Sequence, residues 1–222
     1  MRVTAGAARL RAPGSPDRAD FLPVEKLKVR PGGPVAQRSR RTLEERLIVA
    51  VPWLYRLVVS LALRLPIDFR FRSWMIARQI RSGWGAISRG DIDLMLARYA
   101  QDVEFIADER FQALGVESPA RGQAAARRYI EGIRMAFRTW EFSLHAFIDL
   151  GDRLVTLGTH HVQGSASGAA ITEEFAQVLE LAGGLVIRES DHWSWDAALA
   201  TAGLSRGRIE GLRPAPSQLG IR

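Results

Sequence analysis

The chain has no cysteine among its 222 residues, which excludes disulfide bonds, thiolate metal sites and a cysteine nucleophile. It also has no uninterrupted apolar run of about 18 residues, so the sequence argues against a transmembrane helix. The charges near the N-terminus are not followed by an apolar segment of the kind found in secretory signals. Together these absences fit a reducing compartment, and we expect a cytoplasmic protein.

Only the N-terminal third of the chain has a large excess of positive charge. Residues 1–72 contain 15 Lys and Arg against 6 Asp and Glu, a net of +9, whereas residues 73–222 contain 16 against 18, a net of −2. The excess therefore belongs to an extension and not to a folded domain. Since that domain has no basic stripe and no nucleic-acid-binding motif, we expect no nucleic-acid partner.

Residues 1–41 are rich in Arg, Pro, Gly and Ala and show no apolar period. Such a segment cannot bury enough apolar surface to offset its chain entropy, so we predict a disordered basic arm. A start codon further downstream, which would make residues 1–40 non-native, is an alternative that the sequence leaves open. The tail, residues 205–222, is rich in Gly, Pro and Arg, and we predict that it is loose.

Residues 42–69 carry an apolar helix that begins with a capping box, in which Thr42 is followed three residues later by Glu45. Arg56 interrupts the apolar segment, so the helix is too polar at its centre to span a membrane. Packing of its apolar face on the domain or at a dimer contact is the interpretation we favour. Contact with a membrane surface through residues 42–65, helped by the basic arm, is the alternative.

Periodicity assigns the remaining elements. We predict helices over residues 70–88, 92–100, 123–137 and 197–204, and strands over 103–107, 140–150, 154–163, 171–181 and 185–195.

This order of elements, together with a series of short motifs, resembles the NTF2-like superfamily and its SnoaL-like branch. The motifs are Gly90-Asp91-Ile92-Asp93, Tyr99-Ala100-Gln101-Asp102-Val103-Glu104-Phe105, Arg121-Gly122, Gly151-Asp152-Arg153-Leu154-Val155, Gly164-Ser165-Ala166-Ser167-Gly168 and Ala198-Leu199-Ala200-Thr201-Ala202-Gly203-Leu204. The resemblance covers residues 70–204. It implies an α+β cone, in which a curved antiparallel sheet wraps around N-terminal helices and encloses a mostly apolar ligand pocket.

The resemblance also orients the last strand, because the family pattern places its odd-numbered residues toward the cavity. Glu189 and Asp191 then lie on one face, about 6.5 Å apart. Two carboxyl groups in an apolar cavity repel each other, so we expect one to stay protonated toward neutral pH, which suits acid/base catalysis. The catalytic aspartate of SnoaL-type cyclases falls on Asp191, seven residues after Gly184.

The same parity places His161 and Thr159 in the cavity, where His161 could relay a proton to Asp191. We assign the catalytic role to Asp191 and His161, and the ligand pocket to Glu189, Gln177, Thr159, Trp84, Tyr99 and Trp193. Adjacent strand residues point to opposite faces, so the pairs His160-His161 and Glu173-Glu174 cannot chelate a metal. We predict no metal and no cofactor.

Two classes of function remain open. One is a cofactor-independent isomerase, cyclase or hydrolase that acts on a polyketide- or terpenoid-like carbonyl compound. The other is a non-catalytic ligand-binding or dimeric interaction module. In either case we expect a small apolar ligand, and a homodimer that covers the outer face of the sheet.

Overall fold

The computed structural model of the protein describes residues 27–36 and 38–210. Residues 1–26, 37 and 211–222 lie outside the described residues. Most of the predicted disordered arm and most of the predicted loose tail fall in these ranges.

The described residues form nine strands, seven α-helices and one short 3-10 helix, Arg206–Arg208. The strands are β1 (Leu27–Lys28), β2 (Arg30–Gly33), β3 (Tyr99–Ile106), β4 (Ala120–Arg121), β5 (Phe137–Asp149), β6 (Arg153–Gly164), β7 (Ala170–Ala182), β8 (Leu185–His192) and β9 (Ile209–Glu210). The helices are α1 (Leu43–Ala50), α2 (Pro52–Leu63), α3 (Arg70–Arg89), α4 (Ile92–Leu96), α5 (Glu109–Gln112), α6 (Gln123–Ala136) and α7 (Trp195–Thr201).

Seven strands form one sheet in the order β2-β5-β6-β7-β8-β3-β4, and every pair is antiparallel except β3 with β8. Irregularities in register interrupt β5 between Leu144 and Ala146 and β8 between Val186 and Arg188, and such bulges increase the bend of a strand. Helices α3 and α6 pack on the inner face, where Ile80 and Ile133 join the main hydrophobic core. The curved sheet around N-terminal helices that the resemblance implied is confirmed.

Gly158 in β6 lets α3 approach the sheet closely. A Cβ atom at this position would lie 2.7 Å from the indole of Trp84 and 2.3 Å from the carbonyl oxygen of Ser143. Only glycine therefore allows the Trp84 ring to lie directly on the strand. This contact positions α3 across the inner face.

The outer face of the sheet is covered in part by α7. Trp195, Ala198 and Leu199 pack on a second hydrophobic cluster that includes Val155 and Leu157. We expect a homodimer partly because the outer face of the sheet would otherwise be uncovered. Helix α7 covers part of that face, so a partner subunit is less necessary to bury it. The homodimer stays a prediction.

The predictions of a disordered arm and a loose tail are wrong for the described residues that form β1, β2 and β9. In the arm, β2 adds an edge strand to β5, and β1 pairs with β9 of the tail. An edge strand needs backbone partners and no apolar period, so composition does not reveal it. Gly32 contributes by its lack of a side chain, because a Cβ atom there would lie 2.4 Å from the carbonyl oxygen of Leu144.

The predicted N-terminal helix consists of two helices, α1 and α2, that meet at an angle of 106°. Its start is confirmed, because Thr42 and Glu45 form the capping box. The break falls at Val51, before Pro52, whose ring cannot continue a helix from the preceding turn. Among the described residues no single helix is long and apolar enough to cross a membrane, and only this bent pair meets that test by length and composition.

A buried ion pair joins α2, α3 and the turn between β5 and β6. The guanidinium of Arg72 donates to both carboxylate oxygens of Asp149, at 2.7 and 2.8 Å. It also donates to the carbonyl oxygens of Leu63, Leu65 and Gly151, the last two at 2.9 Å. Both charged groups are therefore fully hydrogen-bonded, as buried charges require.

We expect Arg72→Met to lower the free energy of unfolding by about 3–5 kcal/mol, because it leaves the buried carboxylate of Asp149 without a partner. Urea denaturation followed by circular dichroism measures this loss. The matched control is Arg70→Met, an exposed arginine two residues earlier on the same helix, for which we expect a change within about 0.5 kcal/mol. Equal effects of the two substitutions would contradict the structural role of the pair.

Candidate active site

The prediction that Glu189 and Asp191 face inward is confirmed, since both are buried next to Gln177 on the inner face. In β6, however, the inward residues are the even-numbered ones, and Leu154 and His160 join the inner core. The prediction for β6 is wrong because both faces of this strand are buried, one under α3 and the other under α7. Alternation of apolar and polar residues therefore carries no information about its orientation.

His161 and Thr159 are the two site predictions that this strand overturns. His161 is exposed and hydrogen-bonds to the hydroxyl of Thr172 at 2.8 Å. Thr159 lies on the outer face, where its hydroxyl is 3.2 Å from the Nε2 atom of His145. Neither residue reaches the cavity, so His161 cannot exchange a proton with Asp191.

A cavity of about 80 Å³ lies between α2, α3 and the inner face of the sheet. Its wall is mostly apolar and includes Val59, Ile80 and Leu179. Its polar wall residues are Gln79, Arg98, Tyr99 and Gln177, joined by the part-polar rings of Tyr55 and Trp84. Trp84, Tyr99 and Gln177 were predicted to line a pocket, and their place in this wall agrees.

Trp193 does not line this cavity, which corrects its assignment to the ligand pocket. Its ring packs against His160, with ring centres 4.4 Å apart, and against Phe111 at 5.0 Å. Trp193 does point to the inner face, but it joins the aromatic core around Phe111 and His160, which the cavity does not reach.

The Gln177 carboxamide connects α3 to both carboxyl groups. Its nitrogen donates to Glu189 Oε1 at 2.6 Å and to Asp191 Oδ1 at 2.9 Å. Its oxygen accepts from Trp84 Nε1 at 2.6 Å. Both ends of this amide are therefore hydrogen-bonded. The two bonds from its nitrogen hold the carboxyl groups of Glu189 and Asp191 side by side.

Two tyrosines complete the site, one at each carboxyl group. The hydroxyl of Tyr99 hydrogen-bonds to Glu189 Oε2, and that of Tyr129 donates to Asp191 Oδ2 at 2.6 Å. The sequence prediction missed Tyr129 because it lies in the apolar stripe of α6. A buried tyrosine hydroxyl nearly always needs a hydrogen-bond partner, and this was the signal that could have found it.

Burial controls the protonation of the pair. It raises the pKa of Glu189 well above the ordinary value, and the charge of Asp191 raises it further. Burial also raises the pKa of Asp191, although hydrogen bonds from Tyr129 and Gln177 oppose the shift. The upward shift of the pKa is the larger for Glu189, so Glu189 keeps its proton more strongly and Asp191 is the carboxyl group that ionises more readily. Burial and the nearby carboxyl groups raise the pKa of Tyr99 and Tyr129 well above the ordinary value, so both remain neutral hydroxyl groups.

Arg98 is a second group that the sequence prediction missed. It lines the cavity and is only 5% exposed. Its guanidinium donates to the carbonyl oxygen of Leu94 at 2.7 Å and to the hydroxyl of Ser82 at 2.8 Å. Among the described residues no carboxylate forms an ion pair with it; Glu45 reaches it only through Ser82. A buried cation in this setting favours a negative charge on a bound molecule.

His160, the histidine that does face inward, has a different character. Burial and the charge of Arg110 lower its pKa to about 3, so the ring is neutral at any physiological pH. Trp140 Nε1 donates to its Nδ1 atom at 3.2 Å, and its face stacks on Phe175. These contacts indicate a packing role. The predicted absence of a metal and a cofactor stays a prediction.

Comparison with known proteins identifies a family and several similar structures. Residues 80–189 match the profile of the SnoaL-like domain. An NTF2-like protein of unknown function from Burkholderia pseudomallei is 22% identical, with a TM-score of 0.49, and the match covers 58% of this chain and 95% of that one. TerC, co-crystallised with polyporic acid, is 23% identical, with a TM-score of 0.48, over 57% of this chain and 95% of that one. A provisionally named polyketide cyclase from Xanthomonas campestris is 17% identical, with a TM-score of 0.45, over 55% and 91%. A comparison with the curated proteins finds no match.

The raised pKa of Glu189 predicts that stability depends on pH. Because folding favours the protonated carboxyl, the free energy of unfolding should fall as the pH rises above about 4.3, by up to about 1.4 kcal/mol per pH unit, until the folded-state pKa is passed. Glu189→Gln cannot ionise, so we expect it to lose less stability than the wild type between about pH 5 and 8. Urea denaturation across this range measures the slopes. Glu131→Gln, at an exposed carboxyl, is the control and should keep the wild-type slope. A wild-type curve that is flat or rises with pH would contradict the prediction.

Proposed function

Because residues 80–189 make this chain a member of the SnoaL-like domain family, we propose that it binds a small, mostly apolar carbonyl compound and moves a proton on it without a cofactor. A polyketide- or terpenoid-like compound is the class that we favour. One observation supports the proposal most: a buried pair of carboxyl groups lies directly behind Gln177 and Tyr99 of the cavity wall.

The step that suits this pair is removal of a proton from the carbon next to the carbonyl group. The C–H bond breaks, its electron pair moves into the carbonyl group, and the negative charge arrives on the ligand oxygen as an enolate. The carboxyl pair gains the proton and becomes neutral, a change that burial favours. Return of the proton to another carbon completes an isomerisation.

Tyr99 provides the route for the proton, because its ring lines the cavity and its hydroxyl hydrogen-bonds to Glu189. The hydroxyl oxygen accepts the ligand proton while its own proton passes to Glu189. The proton that Glu189 held moves to Asp191, its hydrogen-bonded neighbour. The hydroxyl is thus neutral before and after the step, in keeping with its raised pKa.

Arg98 supplies the complementary charge. The enolate carries the negative charge that the carboxyl pair has lost, and the guanidinium lies in the same cavity wall without an ionic partner among the described residues. A cation fixed beside the developing charge stabilises the transition state more than the uncharged ketone.

Ligand binding without turnover is the second candidate function, and two observations favour it. The carboxyl groups of Glu189 and Asp191 already accept hydrogen bonds from Tyr129 and Gln177. Neither carboxyl group forms part of the cavity wall. The cavity, at about 80 Å³, is also smaller than a typical ligand pocket of roughly 300–1,000 Å³. A compound of polyketide size therefore requires the cavity to widen.

Deuterium exchange separates the two functions. The protein is incubated in D2O with a panel of cyclic ketones, and NMR follows the loss of the proton next to the carbonyl. We expect the wild type to accelerate exchange, and Asp191→Asn and Glu189→Gln to slow it by about 10²–10⁴-fold while ketone binding persists. Arg98→Met should also slow exchange, whereas Glu131→Gln should not. Ketone binding with no exchange above the buffer rate would instead establish the binding module.

A further inference from the structure

The large exposed apolar side chains are concentrated in one part of the molecule. Of the fifteen among the described residues, eleven lie between Leu43 and Trp74, in α1, α2, the following turn and the first part of α3. We call this surface the apolar face. It includes Trp53, which is 66% exposed, as well as Leu57 and Phe71. The predicted packing of this helix on its own domain accounts only for the opposite side, where Val59 and Ala62 are buried.

The segment that forms the apolar face also carries unpaired positive charge. The two exposed acidic groups nearby are paired, Glu44 with Arg78 and Asp68 with Arg30. Four exposed arginines of the same segment form no ion pair within the described residues, namely Arg46, Arg56, Arg64 and Arg70. The face therefore combines apolar surface with a net positive rim.

A groove in the apolar face lies next to the cavity. This groove, of about 530 Å³, runs between the α1–α2 pair and α3. Four residues line both this groove and the internal cavity: Tyr55, Val59, Met75 and Gln79. These four side chains therefore form the wall between the groove and the candidate active site.

We propose that the apolar face docks on the surface of a lipid bilayer that contains anionic lipids. Apolar and tryptophan side chains that enter the interface, with arginines at the height of the headgroups, are the features of a helix that lies in a membrane surface. The 106° bend between α1 and α2 suits contact along the surface. The positive rim complements anionic headgroups, each arginine contributing about a fivefold gain in partitioning.

A second copy of the chain fits the apolar face less well. In a twofold interface the same patch meets itself, so the unpaired arginines of the two copies would be brought together without carboxylates to offset them. Docking on a bilayer does not depend on the proposed function. Uptake of an apolar ligand from the bilayer through the groove does depend on it.

Vesicle flotation with the full chain tests the docking. We expect the protein to float with phosphatidylcholine vesicles that contain phosphatidylglycerol, far less with phosphatidylcholine alone, and less as salt is added. Arg56→Glu and Arg64→Glu should each weaken binding about fivefold or more. Trp53→Ser and Leu57→Ser should weaken it at least tenfold, since both remove exposed apolar surface and leave the core intact.

Matched controls come from the rest of the surface. Met135, which is 76% exposed on α6, and the exposed Arg138 lie outside the apolar face. Met135→Ser and Arg138→Glu should bind vesicles like the wild type. Equal losses in the control and face variants would overturn the proposal, and so would equal binding to neutral and anionic vesicles. A stable dimer that Leu57→Ser dissociates, combined with no vesicle binding, would assign the face to a second copy instead. Deuterium exchange on soluble ketones tests the active site separately, so each proposal can fail without the other.

Discussion

The carboxamide of Gln177 is the contact on which the candidate site depends. It accepts from Trp84 on α3 and donates to Glu189 and Asp191 on β8. An amide has one acceptor end and one donor end, so this arrangement is the only orientation that meets an indole N–H and two carboxyl groups. The reverse orientation would place the amide oxygen against the carboxyl oxygens. The contact therefore holds α3 at a set position over the sheet, and it holds the carboxyl groups close enough to share a proton.

The distribution of charge links the site to the rest of the molecule. Burial raises the pKa of both acids, and Arg98 lines the nearby cavity without an ionic partner among the described residues. A proton gained by the acids moves negative charge toward this arginine. Helix α2, which covers the cavity, carries Arg56 on its exposed side and is followed by the exposed Arg64. The same helix thus closes the cavity on one side and forms the apolar face on the other.

The architecture was predictable from the sequence because long amphipathic strands and helices leave strong periodic signals. The capping box at Thr42 and the strand pair around Gly183-Gly184 follow from local patterns. Strand alternation puts Glu189 and Asp191 on one face, and the resemblance to the family supplied the inward direction of that face. The β8 prediction succeeded at these two positions but not at Ile187, which is exposed because the register shifts near Glu180. The β6 prediction failed because α3 and α7 bury both faces of that strand, so its sequence shows no alternation to interpret.

By itself the sequence determined the fold class, the absence of cysteine chemistry and the presence of two neighbouring carboxyl groups on one strand face. These features depend on residue type and on spacing within one element. The tertiary structure alone decided which groups surround the two carboxyl groups, namely Tyr129 from α6, Tyr99 from β3 and the adjacent Arg98. These residues lie far from Glu189 and Asp191 in the chain and approach them only when the sheet curves around α3. It also decided that His160, and not His161, faces inward, and that residues 30–33 form an edge strand. The physical reason is the same in each case, since these outcomes depend on which surfaces become buried against each other, and that is a property of the packed chain rather than of any local pattern.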